Sequence, residues 1–186
     1  MKIIQAPHEV LSNKAKRVGK IDKTLLDLIE EMKYTVIHAT DPEGVGLAAP
    51  QIGKSLQLFI IKEIKETPYF VFINPEVTLL EDIIIEVTPH GPKKNNEEDH
   101  RLEGCLSLKD IWGTVKRAQK VRVVYTDETG IKHNEIYDGF FATIIQHEYD
   151  HLQGILFPKR TLEQNGNLYK SHKKADGKEV FDPIDL

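Results

Sequence analysis

The stretch Gln146–His151 reads Gln-His-Glu-Tyr-Asp-His and places two histidines four residues apart. In an α-helix such residues lie one above the other on the same face, so His147 and His151 can bind one metal ion together. Glu148 lies about 100° around the helix from His147, close enough to reach a metal-bound water without being a ligand. The spacing alone is also compatible with a solvated helix face.

The residues around this motif predict a buried helix over residues 139–153. Apolar side chains fill two stripes, so the helix is apolar around most of its circumference, which is typical of a helix enclosed by protein. They are Phe140 and Ile144 on the stripe of the histidines and Phe141, Ile145 and Leu152 on the other. Asp138 is the expected N-cap, and Gly154 is expected to end the helix. Burying two histidines and a glutamate without partners would cost several kcal/mol, so we favour a bound metal ion.

Cys105 is the candidate for a third ligand and is the only cysteine of the chain. A single cysteine cannot form an internal disulfide, which excludes a disulfide-built secreted scaffold. It can be a packed core residue, a nucleophile or a metal ligand, and beside Leu106 the core role is the commoner one. With two histidines it would leave one tetrahedral position open, as catalytic sites do. Thiolate and imidazole suit zinc or ferrous iron better than magnesium or calcium.

The length and charge of the chain limit its class. Its 186 residues suit a single compact domain over residues 1–186, and the formal net charge of -4 argues against a general nucleic-acid binder. The N-terminus has no apolar secretion signal, and the longest apolar runs fall far short of the roughly 20 residues of a membrane helix. We therefore expect a soluble, cytoplasmic protein that binds neither DNA nor a membrane.

The rest of the pattern predicts one more helix and several strands, which favours an α+β fold. Residues 21–38 carry apolar residues at helical spacing behind Asp22, a candidate N-cap. Strands are predicted at Leu56–Ile61, Tyr69–Ile73, Val77–Val87, Val121–Thr126 and Ile131–Tyr137, the last two joined by a turn at Asp127–Gly130. Pro89–His100 has no apolar residue besides its prolines, which predicts a solvated loop, and the tail from Thr161 predicts a short strand but no strong helix.

The segment Gly44–Gln51 is rich in glycine and alanine. It contains no Gly-Lys-Ser/Thr and no G-x-G-x-x-G, so we reject nucleotide binding. Small residues let another backbone approach closely, as an enzyme that grips an extended peptide by strand-like pairing requires. A turn followed by a tight packing contact explains the segment equally well.

Three segments together resemble the peptide deformylase family. The family motif G-x-G-L-A-A-x-Q matches Gly44–Gln51, E-G-C-L-S matches Glu103–Ser107, and Q-H-E-x-D-H-L-x-G matches Gln146–Gly154. The resemblance covers roughly residues 5–158 and leaves out a divergent tail over residues 161–186. It implies mixed, mainly antiparallel sheets packed around a central helix that bears the two histidines.

The resemblance also implies an activity and its machinery. Such enzymes use a metal ion to remove the formyl group from the N-terminal formyl-methionine of newly made proteins, and they release formate. Cys105, His147 and His151 would bind one divalent ion, with Fe²⁺ expected and Zn²⁺, Ni²⁺ or Co²⁺ as substitutes in purified protein. Glu148 would act as general base and then general acid, and the Gln51 amide and the Leu106 backbone N–H would stabilise the oxyanion. The partners would be formyl-methionyl nascent peptides, with a monomeric protein and a transient ribosome contact left open.

By resemblance, the substrate pocket and the supporting charges can also be assigned. The pocket residues would be Gly44, Val45, Gly46, Phe140 and Ile144, together with Thr143 and His147, and Trp112 would supply an apolar wall in place of the arginine of relatives. Glu103 and Asp150 would orient the ligand histidines or pair with Arg117; the alternative is an ordinary surface ion pair. Many relatives carry proline and arginine where this chain has Lys109 and Trp112, and their C-terminal helix has no counterpart in this tail.

These departures keep other functions open. A deformylase-like hydrolase with an altered substrate is one alternative, and a weakly catalytic paralogue that serves as a metal-bound binding module is another. Because both Glu148 and Gln51 are present, the binding module is disfavoured. A zinc endopeptidase shares the H-E-x-x-H pattern, but a cysteine ligand that precedes the helix disfavours it. A bacterial-type origin is expected, with an organellar or viral one not excluded.

Overall fold

The computed structural model describes residues 1–40, 43–62, 69–80, 84–86, 102–174 and 177–185. Two of its α-helices precede the first strand, and the other two lie between the ninth and tenth strands. The α-helices are α1 (Glu9–Ser12), α2 (Lys23–Ile37), α3 (Gly139–Leu152) and α4 (Phe157–Glu163), and Ala49–Ile52 forms one 3₁₀ turn. The strands are β1 (Gly46–Ala48), β2 (Leu58–Lys62), β3 (Tyr69–Leu79), β4 (Ile84–Glu86), β5 (Glu103–Cys105), β6 (Leu108–Gly113), β7 (Lys116–Ala118), β8 (Lys120–Thr126), β9 (Lys132–Asp138), β10 (Leu168–Lys173) and β11 (Glu179–Pro183).

The strands form three antiparallel sheets. Five strands pair in the order β1-β2-β3-β8-β9, four in the order β11-β10-β6-β5, and β4 pairs with β7. Strands β1 and β5 are therefore edge strands of the two larger sheets. The predicted α+β class, with antiparallel sheets around the central helix, is confirmed.

Both faces of the five-stranded sheet are covered by a helix. Side chains alternate across a strand, so Phe59 and Ile61 of β2 face one core and Leu58 and Ile60 face the other. The first core includes residues of α3 and the second includes the apolar stripe of α2. Among the described residues no helix is long and apolar enough to cross a membrane.

The two predicted helices form close to their expected bounds. The Asp22 side chain accepts a hydrogen bond from the Leu25 N–H and caps α2. Asp138 has the extended backbone of an N-cap before α3. Gly154 follows α3 with φ +71°, and a Cβ there would lie 2.5 Å from the Ser12 carbonyl oxygen, so the end of the helix requires glycine.

One predicted strand break is wrong. Pro75 lies inside β3 rather than between two strands. The pairing of β3 with β8 shifts register between Ile73 and Glu76, and Asn74 adopts φ +52°. This bulge accommodates the proline, and the Asn74 side chain fixes it by exchanging hydrogen bonds of 2.8 and 2.9 Å with the Val18 backbone.

The tail contains more structure than its sequence predicted. It forms two strands, β10 and β11, instead of one, and β10 also pairs with β6. Helix α4, which we did not predict, extends to Glu163 and so includes the first residues of the tail. The pairing partners supply the order that the weak local pattern of the tail did not show. The predicted loop Pro89–His100 lies outside the described residues.

Candidate active site

The three predicted metal ligands lie together in the folded chain. Cys105 ends the edge strand β5, while His147 and His151 project from α3, and one ligand atom from each lies within 4.8 Å of the others. The Cys105 Sγ lies 3.3 Å from the His151 Nε2. Tetrahedral zinc or iron with usual bond lengths would separate a sulfur and a nitrogen ligand by about 3.5 Å, so the donor set fits a metal ion.

Helix α3 is held in position by an amide side chain one residue before the first histidine. The Gln146 Oε1 accepts from the Ala118 N–H at 3.0 Å, and its Nε2 donates to the Ala118 carbonyl at 2.8 Å. This pair of hydrogen bonds extends the helix contact to β7, which also carries Arg117. The register of the two histidines is thereby fixed relative to the sheet.

Glu103 orients the first histidine. Its carboxylate accepts a short hydrogen bond from the His147 Nδ1 and is also bound by the Arg117 Nη2 at 2.6 Å. Burial works to raise the pKa of Glu103, but the charge of Arg117 and the contact with His147 outweigh it and hold that pKa well below its usual range. A permanently ionised carboxylate can only accept, so the proton must sit on Nδ1 and the Nε2 lone pair remains for a metal.

Arg117 joins Glu103 to a second buried carboxylate. Its Nη1 lies 2.6 Å from the Asp150 Oδ2, and all three side chains are buried. Arg160 of α4 then binds Asp150 with contacts of 2.7 and 3.1 Å. The predicted pairing of Glu103 and Asp150 with Arg117 thus occurs in this structure as a buried network. Arg160 was missed, and only the tertiary packing of α4 reveals it.

The second histidine has no such carboxylate partner in the part of the chain that the structure describes. The His151 Nδ1 is buried and has no hydrogen-bond partner among the described residues. Burial lowers the pKa of His151 well below its usual value. A neutral imidazole is the form that binds metal, so His151 is suited to this role without an ionic partner.

Glu148 faces the same cavity from the next position of the helix. It is almost fully buried, and its Oε2 has no hydrogen-bond partner among the described residues. Burial raises its pKa to about 7. The space beside this carboxylate exists because residue 46 is glycine: a Cβ on Gly46 would lie 2.5 Å from the Glu148 Oε1.

Gln51 presents its amide to Cys105. The Ala48 N–H donates to the Gln51 Oε1 at 2.8 Å, which fixes the orientation of the amide group. The Nε2 therefore points at the Cys105 Sγ, 3.5 Å away, and at the Ser107 Oγ, 3.4 Å away. Ser107 also donates its backbone N–H to the sulfur at 3.4 Å, a contact that the sequence did not predict.

A cavity of about 280 Å³ opens onto these groups. Most residues predicted for the substrate pocket line it: Val45, Gly46, Trp112, Phe140, Thr143 and Ile144, with Gln51 and Leu106. Gly44 lies outside this lining, because its Cα packs against the end of α2, where a Cβ would lie 2.6 Å from the Val36 carbonyl oxygen. Glu43, Leu102 and Gly104 complete the wall and were not predicted; the last two adjoin or belong to the Glu103–Ser107 motif.

Comparison with known proteins identifies the family of this chain. The family model of polypeptide deformylase matches residues 1–166. The chain belongs to the polypeptide deformylase family. The resemblance predicted from three motifs is therefore confirmed, and with it a metal-dependent class of enzyme, to which the cluster of Cys105, His147 and His151 corresponds.

Individual peptide deformylases are similar to this chain in sequence or structure over most of its length. The chain is 39% identical to a peptide deformylase of Pseudothermotoga lettingae over 80% of its length and 75% of the relative's. It is 35% identical to one of Desulfotalea psychrophila, covering 94% of this chain and 95% of that protein. A crystal structure of a Synechococcus elongatus peptide deformylase in complex with actinonin matches with a TM-score of 0.74 and 35% identity, over 88% of this chain and 81% of that one.

Proposed function

We propose that this chain, as a single domain over residues 1–186, removes the N-formyl group from formyl-methionine at the N-terminus of newly synthesised proteins. Membership of the deformylase family supports the reaction class. The observation that carries the proposal is the juxtaposition of Cys105, His147 and His151 with a buried Glu148 whose pKa is raised to about 7. Those groups are what hydrolysis of an amide at neutral pH requires.

The proposed cofactor is one divalent ion held by Cys105, His147 and His151. Fe²⁺ is the expected ion, with Zn²⁺, Ni²⁺ or Co²⁺ as substitutes, because thiolate and imidazole ligands suit these metals. When bound, the ion supplies Lewis acidity and favours hydroxide over water at neutral pH. The Gln51 Nε2 and the Ser107 N–H both contact the sulfur, which fixes its position beside the two histidines.

Glu148 is the proposed proton carrier. As a carboxylate, it takes a proton from the attacking water, and it then gives that proton to the amine that leaves as the formyl C–N bond breaks. A pKa of about 7 makes both steps accessible at neutral pH, whereas an exposed glutamate would be too weak a base. Its partnerless Oε2 leaves an oxygen available for the water.

Gln51 and Leu106 are the proposed oxyanion donors. The oxygen of the formyl group becomes negatively charged when water adds, and donors already aimed at it can stabilise the transition state by about 3 kcal/mol each. The Ala48 N–H fixes the Gln51 amide, which keeps its Nε2 beside Cys105 and the proposed metal position. Leu106 lies beside it in the lining of the cavity.

The peptide would lie between two edge strands. Strand β1 ends the five-stranded sheet and β5 ends the four-stranded sheet, and residues of both line the cavity. An extended peptide can add to such an edge through main-chain hydrogen bonds. Val45, Phe140 and Ile144 offer apolar surface for the methionine side chain, and Gly46 allows close approach of the backbone.

The cellular setting follows from the substrate. Formyl-methionyl chains emerge from bacterial-type ribosomes, so we propose that a monomeric protein acts on them in the cytoplasm. The exposed Lys170 and Lys173 of β10 and the exposed Lys174 give the tail positive charge with which it could touch ribosomal RNA.

Formate release from formyl-Met-Ala-Ser tests the proposal. The protein would be purified without oxygen and loaded with Fe²⁺ or Ni²⁺, with Glu148→Ala as the test variant and Glu31→Ala, an exposed helix glutamate, as the matched control. We expect rapid release by the parent and the control and a loss of about 10²–10⁴-fold in Glu148→Ala. Absence of formate from a parent protein that holds one metal ion per chain would contradict the proposal and favour the binding-module alternative.

A further inference from the structure

Helix α4 reaches the surroundings of His147, a proposed metal ligand, at two points. Its first residue, Phe157, is buried, and the Phe157 ring lies beside the His147 ring with centroids 6.3 Å apart and 27° between the planes. One turn later, the Arg160 side chain binds Asp150 of α3. A short helix therefore supports this part of the site through one apolar contact and one charged contact.

The charged contact of α4 belongs to a larger set of ion pairs, the charged network, which consists of Glu103, Arg117, Asp150 and Arg160. Glu103 contacts the His147 Nδ1 and is bound by Arg117, which also binds the Asp150 Oδ2 at 2.6 Å. Arg160 holds both oxygens of Asp150, with its Nη2 2.7 Å from Oδ1 and its Nε 3.1 Å from Oδ2. The Asp150 carboxylate is thus fixed between two guanidinium groups.

The charges of this network balance only when Arg160 is included. Glu103, Arg117 and Asp150 are almost inaccessible to solvent, and two carboxylates with one guanidinium leave one net negative charge. An uncompensated charge in the interior is strongly destabilising. Arg160 brings the sum to zero, and because its side chain is 34% exposed, it does so at a smaller cost in lost hydration than a buried cation.

A second cavity gives water access to the charged network. It has a volume of about 540 Å³, lies against a different face of α3 from the substrate cavity, and is lined by Arg117, Asp150 and Arg160 among others. If Asp150 lost its contact with Arg160, water from this cavity could take the place of the guanidinium. A hydrated Asp150 would hold Arg117 less firmly, and Arg117 in turn holds Glu103.

We propose that Arg160 is a positioning residue for His147, which keeps the charged network in place and through it the orientation of the imidazole toward the metal ion. The proposal rests on the proposed function, because it concerns the same metal site, and it adds a role for α4. Loss of a group that orients a metal ligand commonly weakens metal binding by about 10–100-fold. Because Arg160 acts through three intervening side chains, we expect an effect of about tenfold.

The rate at which the protein loses its metal ion tests the proposal without catalysis. Each variant is loaded with Ni²⁺ and mixed with excess chelator, and metal content per chain is followed over time while circular dichroism confirms the fold. Arg160→Gln removes the charge and should lose the ion about tenfold faster than the parent. Arg160→Lys keeps the charge but not the two-point contact, so its rate should return to within about threefold of the parent's.

Lys159→Gln is the matched control, because it removes the same charge from the neighbouring position of α4. The Lys159 side chain is exposed and its Nζ lies 3.8 Å from Glu163, so the variant should lose metal at the parent's rate. If Arg160→Gln does not fold, Arg160→Met, which keeps much of the aliphatic stem, replaces it. Equal rates of metal loss in the Arg160 variant and in Lys159→Gln would overturn the proposal.

A double-mutant cycle tests whether Arg160 acts through Asp150. Asp150→Asn keeps the shape of the side chain and removes its charge, so it should speed metal loss by itself. When Arg160→Gln is added to Asp150→Asn, the rate should change by less than about twofold, because the shared path is already broken. Effects of the two substitutions that multiply would show that Arg160 acts independently of Asp150 and would overturn the proposal.

A signal from His147 itself separates this proposal from the proposed function. In metal-free protein, the Glu103 carboxylate holds the proton on the His147 Nδ1, so proton NMR should show it as a slowly exchanging signal that is absent from His147→Ala. This signal should persist in Lys159→Gln and disappear through exchange with water in Arg160→Gln; its persistence there would overturn the proposal. A parent that binds no metal ion would contradict the proposed function, and the signal would still decide the role of Arg160.

Discussion

Two clusters of charged side chains look alike in composition and differ in burial. The buried charge cluster consists of Glu103, Arg117 and Asp150, and the hairpin charge cluster consists of Asp127, His133 and Glu135 on β8–β9 and their turn. Each centres on a cation between two carboxylates, and each contains a contact of 2.6 Å. The first cluster is almost inaccessible to solvent, whereas the second lies partly in water.

The difference shows that contact distance alone does not determine how much an ion pair contributes to the stability of the fold. In water, the attraction is screened and a pair contributes about 0–1 kcal/mol. In the interior, each charge has lost its hydration, so the removal of one partner leaves the others strongly destabilised. Here the cluster contacts His147 through Glu103, and we propose that it orients that ring.

Arg117→Met should produce the largest effect on stability. It leaves the buried carboxylates of Glu103 and Asp150 without their shared cation, and we expect a loss of about 3–5 kcal/mol in the free energy of unfolding. Urea denaturation monitored by circular dichroism would measure it. His133→Gln removes the central cation of the hairpin charge cluster and should cost no more than about 1 kcal/mol. Similar losses in the two variants would contradict the role that we assign to burial.

Two glycines allow the same comparison between a buried and an exposed position for steric contacts instead of charges. In Gly46→Ala the new Cβ meets the Glu148 carboxylate at 2.5 Å, so the base must move and kcat should fall about 100-fold. In Gly130→Ala, at the β8–β9 turn, the Cβ meets nothing within 4 Å, but φ is +89°. That variant should lose about 1 kcal/mol of stability and keep its activity. Formate assays and denaturation of both variants would measure these effects, and full activity in Gly46→Ala would refute the packing argument.

The smallest predicted effect is the pH dependence of the hairpin charge cluster. Hydrogen bonding to Asp127 raises the pKa of His133, and for Asp127 the hydrogen bonds from His133 and the turn outweigh burial and lower its pKa to about 2. The pair therefore stabilises the fold between about pH 4 and 6.5 and loses this contribution as the pH rises through the raised pKa of His133. The stability difference between the parent and His133→Gln should be largest near pH 5 and shrink by pH 9. A constant difference in unfolding free energy across that range would show that the charge of His133 is irrelevant.

The site was more predictable from the sequence than its surroundings. The helix α3 and its histidines follow from local spacing, because a helix brings i and i+4 together whatever surrounds it. Cys105 was a candidate ligand from its residue type, but the family motifs were needed to prefer that role over core packing, since residues 105 and 147 are distant in the chain. The same limit explains why Arg160 was missed and why the tail forms two strands where one was predicted: the partners, Asp150 and β6, are brought to them only by the fold.

Pro75 illustrates the opposite error. A proline is a strong local signal for the end of a strand, but the bulge at Asn74 and its hydrogen bonds to Val18 let the strand continue. The Val18 contact spans 56 residues, so no local pattern could reveal it. Local signals predict elements reliably where no distant partner opposes them.

The central claim is that one set of side chains holds the metal ion and a different one, Glu148, moves the proton. The most direct test measures metal content per chain by mass spectrometry and formate release on the same samples. The samples are the parent, Cys105→Ala and Glu148→Gln, each loaded with Fe²⁺ or Ni²⁺ without oxygen. The account predicts one ion per chain in the parent and in Glu148→Gln, with formate release lost in the latter, and neither ion nor activity in Cys105→Ala. Loss of the ion from Glu148→Gln, or a full complement of ion in Cys105→Ala, would contradict it.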